Sequence, residues 1–136
     1  MDEVTTASNE LIAAIERGDV GAVRRCLHDG CDVNAVDNRP VIGYGAPPLH
    51  HAVEAGSAEL VRLLIGAGAV VDAPDPTGAT PLWRACSAGY LAVAQVLLAA
   101  GADPNAQNGE GYSCLGRVCR PWVELADLLR SNGAAV

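Results

Sequence analysis

The chain has 136 residues, half of them apolar, which is enough for one continuous core and too hydrophobic for an intrinsically disordered segment. Nine basic residues, all arginine, stand against sixteen acidic ones; the net charge of −7 argues against nucleic acid as the main ligand, because phosphate binding calls for a basic surface. The polar N-terminus has no apolar signal core, and the longest apolar run, residues 91–102, is broken by Gln95 and Gly101, so a cytoplasmic protein without membrane contact is expected.

In chain order, residues 1–7 read as a loose polar lead-in. Asn9 is expected to cap a first helix whose apolar face is Leu11, Ile12, Ala14 and Ile15. Gly18 ends it, residues 20–27 form a second helix, and Gly30, Asp32, Val33 and Asn34 make a turn. The same order returns with Pro48, Leu49, Ala52, Val53, Gly56 and Gly68, and again with Pro81, Leu82, Ala85, Gly89 and Gly101. Between these two units the shift is 33 residues throughout (Pro48 to Pro81, Gly68 to Gly101). Between the first two it is 38 (Gly18 to Gly56), which places an insertion most simply at residues 39–43. A fourth unit opens at residues 110–119 with Ser113 and Cys114 in the Thr and Pro positions, and Arg130 falls where Ile65 and Leu98 stand.

A period of 33 carrying T-P-L-x-x-A (Thr80 to Ala85) and G-A-D-x-N-A (Gly101 to Ala106) resembles the ankyrin repeat. The resemblance implies an all-α solenoid of stacked helix-turn-helix units with β-hairpin or loop fingers. It makes the whole of residues 1–136 one domain, with repeats at about 8–37, 45–77, 78–110 and 111–136, the outer two degenerate and read as caps. It further implies that His50 serves structure by bonding between neighbouring turns. Function is then expected on the concave face, at finger tips and exposed first-helix edges. Carried over by alignment, the protein-binding candidates are Arg17, Arg39, Val41, Ile42, Tyr44, Glu54, Thr77, Trp83, Arg84, Ser87, Glu110 and Tyr112. Trp83 replaces the motif's His, either to pack along the next finger or to meet a ligand.

Residues for chemistry are scarce. Without lysine there is no phosphate-binding G-x-x-x-x-G-K motif, and neither H-E-x-x-H nor G-x-S-x-G occurs. The five cysteines read as reduced thiols, and Cys26-x4-Cys31 and Cys114-x4-Cys119 lack the histidines of a zinc site, so no metal, cofactor or catalysis is expected. The all-arginine base set with abundant Ala, Gly and Val points to a GC-rich, bacterial source. The expectation is a monomer that binds one folded, basic protein partner as inhibitor, immunity protein or regulator. The alternative is a thiol- or metal-dependent redox sensor built on the cysteine pairs.

Overall fold

Short helices of this size bury only one face each, so they gain stability by stacking rather than alone. A computed structural model of the chain describes residues 3–37, 45–118 and 122–134, with side chains at 9–37, 45–116 and 122–134. Its elements are α1 (Glu3–Arg17), α2 (Val20–His28), α3 (Pro48–Glu54), α4 (Ala58–Gly66), α5 (Pro81–Ala88), α6 (Leu91–Ala99), a π-type turn (Cys114–Val118) and α7 (Val123–Ser131). Helices pair within a repeat as α1–α2, α3–α4 and α5–α6. Across repeats, α1, α3, α5 and the π-type turn form one layer, while α4, α6 and α7 stack in the other. The result is an all-α repeat solenoid. Among the described residues the only strand-like pairing is an isolated antiparallel bridge between Gln107 and Ser113.

One core runs through every repeat. Leu11, Ile15, Leu49, Leu60, Leu64, Leu82, Leu97, Leu125 and Leu129 are almost completely buried in it. Asp19, Ser57 and Thr80 cap α2, α4 and α5 by accepting from the backbone N–H three residues on. Proline at the first position of α3 and α5 loses nothing, since its missing N–H has no helical partner.

Cross-repeat clips hold the register. Asn34 accepts from Val70 N–H at 2.9 Å and donates to Gly68 O at 3.2 Å. Asn105 likewise donates to Gly133 O at 3.1 Å. Asp72, the equivalent between them, accepts from Asp103 N–H at 3.2 Å but has no donor to give back. Closer to the helices, Gly89 takes φ +76° and the indole of Trp122 lies so near it that a Cβ would collide. Tyr90 covers Gly56 one repeat earlier with a looser fit, its ring 3.3 Å from where a Cβ would stand.

Three expectations need correction. The first helix starts at Glu3, so Asn9 lies inside it rather than capping it. In the fourth repeat the first helix shrinks to the π-type turn. Cys114 lacks the fixed φ that proline supplies elsewhere, and Gly116 is a poor helix former. The cysteines are also not all thiols: Cys26 and Cys31 form a disulfide, brought to a Cα separation of 5.5 Å by the turn in which Cys31 N–H bonds Cys26 O. Cys86 and Cys114 are buried thiols, and Cys119 lies outside the described residues. Arg130, at the aliphatic position, turns outward with its side chain 53 % exposed and pairs with Asp127 at 3.6 Å.

Candidate functional site

The face carrying the fingers is organised by one residue per finger. Asp37, Asp75 and Asn108 occupy the same place, and each donates its backbone N–H across the finger base, to Ala46, Ala79 and Tyr112 respectively. Nine residues separate the first pair and four each of the others, a difference that falls in the first finger. The Asp75 carboxylate accepts from Thr77 N–H at 2.9 Å, Thr77 Oγ1–H at 2.6 Å and Ala79 N–H at 3.1 Å. Arg84 closes the set with its Nε at 2.9 Å and Nη2 at 2.7 Å. Burial alone would raise the Asp75 pKa, but these hydrogen bonds and the guanidinium charge outweigh it and hold the carboxyl below the ordinary aspartate value.

Next to it, His50 is 2 % exposed and its Nε2 lies 2.7 Å from Ala73 O, which ties α3 to the following finger. Burial pushes its pKa below the ordinary histidine value, against the opposing pull of the Ala73 carbonyl and Asp75. The imidazole is therefore a neutral structural strut. One repeat upstream of Arg84, His51 faces Asp37 as Arg84 faces Asp75: His51 Nε2 and Asp37 Oδ2 are 3.2 Å apart. Glu16, at the end of α1, completes that corner.

These elements enclose a groove of about 740 Å³ lined by Glu16, His50, His51, Glu54, Asp75 and Arg84, with Ala46, Ala55, Pro76 and Thr77 at its edges. Of the residues expected from sequence, Glu54, Thr77 and Arg84 meet here. Trp83 and Tyr112 meet one repeat further on, where the indole Nε1–H donates to Tyr112 O at 2.8 Å; Arg84 lies 5.8 Å over the Trp83 ring. The indole edge is thus engaged by the next finger, and Tyr112 keeps 39 % of its surface exposed. Arg17, Ser87 and Glu110 are exposed but do not line the groove. Arg39, Val41, Ile42 and Tyr44 lie outside the described residues.

Residues that sequence reasoning passed over as site members are Asp37, Asp75, His50 and His51. His51 is largely enclosed, its side chain only 11 % exposed. The signal was available in register: Asp37 to Asp75 keeps the 38-residue shift, and His51 to Arg84 keeps the 33-residue one, so each acid faces a base.

Comparison with known proteins agrees with this architecture. A family model described as ankyrin repeats (3 copies) matches residues 11–108. The 2-5A-dependent ribonuclease of Mus musculus is 39 % identical over 66 residues, which cover 48 % of this chain and 8 % of that protein. So small a share of the relative carries no activity across. Ankyrin repeats are in general protein-interaction modules and typically non-catalytic. No helix among the described residues is long and apolar enough to cross a membrane. With the family model spanning well over half of its length, and with the finger, clip and helix-pair geometry recurring in step, this chain belongs to the ankyrin-repeat family.

Proposed function

We propose that the chain binds one folded, basic protein partner through the finger-side groove and so acts as its inhibitor, immunity protein or regulator. The observation that carries this reading is the charge layout of the groove. Among its lining residues, the guanidinium of Arg84 is committed to Asp75, while Glu54 stands exposed at the end of α3. A groove with that bias, on a chain of net charge −7, favours a cationic surface and speeds encounter with it. On this reading Thr77 and Tyr112 contribute to the contact, Trp83 braces Tyr112 from behind, and Glu110, Arg39, Val41, Ile42 and Tyr44 are further candidate contacts. The chain works as a cytoplasmic monomer, without catalysis, nucleic acid or membrane.

The test is affinity capture from the source cells with the native chain and a Glu16→Arg/Glu54→Arg variant. A single partner held at one-to-one ratio, released by high salt and lost with the variant, is the expected result. Capture that survives both the salt and the charge reversal would sink the groove as the interface. Unchanged capture by Ile42→Glu/Tyr44→Glu would remove the inserted segment from it.

A further inference from the structure

The corner formed by Glu16, Asp37 and His51 carries an imidazole where its counterpart one repeat on carries a guanidinium. In the second corner, Glu54 and Asp75 stand with Arg84, whose guanidinium bonds Asp75 twice and supplies the cation. In the first, Glu16, Asp37 and His51 occupy the corresponding repeat positions, and an imidazole replaces the permanent charge. His51 Nε2 is shut off from solvent and makes no hydrogen bond among the described residues, although Asp37 Oδ2 is only 3.2 Å away. A buried ring nitrogen held 3.2 Å from a buried carboxylate oxygen is an arrangement that a shared cation would satisfy. One ligand atom from each of Glu16, Asp37 and His51 lies within 4.8 Å of the other two.

We propose that these three residues bind one divalent transition-metal ion of the zinc class. Imidazole nitrogen with two carboxylate oxygens suits such an ion, and metal–ligand distances of about 2.0–2.2 Å place ligands sharing it about 3–4 Å apart. The His51–Asp37 pair already stands at that spacing. Glu16 is exposed at the end of α1 and closes the remaining distance by a rotamer change. Both carboxylates hold other contacts as well, which orient them as metal ligands usually are. The three ligands come from α1, the first finger and α3, so the ion joins repeat one to repeat two. A hard, oxygen-preferring ion such as Mg²⁺ is disfavoured by the imidazole.

The proposal does not depend on any protein partner and is tested without one. The purified full chain is titrated with Zn²⁺ by calorimetry and melted with and without it. Native protein is expected to bind one equivalent at this corner, and its thermal midpoint rises by roughly 10 °C at a hundredfold excess over Kd. His51→Arg reproduces the arrangement of the next repeat, so it folds but gains nothing from Zn²⁺. Glu16→Gln, at an exposed position, weakens binding at least tenfold while the metal-free protein still folds. Substituted Co²⁺ shows no thiolate charge-transfer band, which separates this site from the cysteines. Zn²⁺ binding that persists undiminished in His51→Arg, a thiolate band with Co²⁺, or no binding by native protein would each overturn the assignment.

Discussion

His50 is a titratable side chain used for its shape. Its Nε2 reaches the Ala73 carbonyl from a site that solvent barely enters, and burial keeps the ring neutral. Because the folded pKa lies below the unfolded one, the unfolded chain takes up a proton first as pH falls. Stability from this group is full above about pH 6.5 and is lost as the pH drops below it, down to the folded-state pKa. Asp75, with its pKa depressed, adds its own loss only at more acidic pH. Urea midpoints measured between pH 7 and 5 should therefore fall for native protein and fall less for His50→Gln, whose amide can still donate to Ala73. Equal pH slopes for the two would show that burial of His50 is not the cause. The motif alone made this residue legible. Asp75 beside it and Asp37 beside His51 were not, because both sit in loops where acidic residues are ordinary and only their facing bases give them meaning.

At the scale of elements, the repeats are held by contacts between backbones as much as between side chains. Fingers two and three touch where Gly109 N–H donates to Thr77 O at 3.0 Å. Gly78, at φ +82°, packs against the Gly109 backbone, and a Cβ on Gly109 would land inside the Thr77 carbonyl oxygen. Gly109→Ala must part the two fingers and break that bond, at a cost of about 1–3 kcal/mol. An unchanged urea midpoint would contradict it. The side-chain clips offer the opposite opportunity. Asp72 occupies the position of Asn34 and Asn105 but cannot donate as they do to Gly68 O and Gly133 O. Asp72→Asn should keep the bond from Asp103 N–H and add one to Gly101 O, raising stability by about 0.5–1 kcal/mol in urea titration. A variant no more stable than native would show that the missing donor is irrelevant. The helices themselves were readable from apolar spacing and glycines. The π-type turn was not, since the substitutions at Ser113 and Cys114 weaken a helix start without saying what replaces it.

For the whole molecule, the 33-residue period is enough to give the stacking order, because every unit buries its apolar face against the next. The period is silent on what makes one unit differ from another. The disulfide of Cys26 and Cys31 depends on a turn closing across Gly30, and the His51 corner depends on bringing three separate segments together. Such features are set by tertiary geometry, which a one-dimensional repeat averages away. A stack of this kind also has no reason to come apart at one point everywhere at once. Its weakest junction is expected at repeat four, where a π-type turn stands in place of a helix against α5.

The placement of the two tryptophans turns that junction into something an optical measurement can see. Trp83 leans on the third finger and Trp122 lies over Gly89, so both indoles sit in the half of the stack that contains the junction. Emission therefore reports on the last two repeats alone, whereas far-ultraviolet dichroism counts every helix. In urea the emission change should come at a lower concentration than the loss of ellipticity. Superimposed curves would mean that the solenoid unfolds as a single cooperative body. The first two repeats carry no indole and are spectrally dark, so a fluorescence melt by itself would pass over their unfolding.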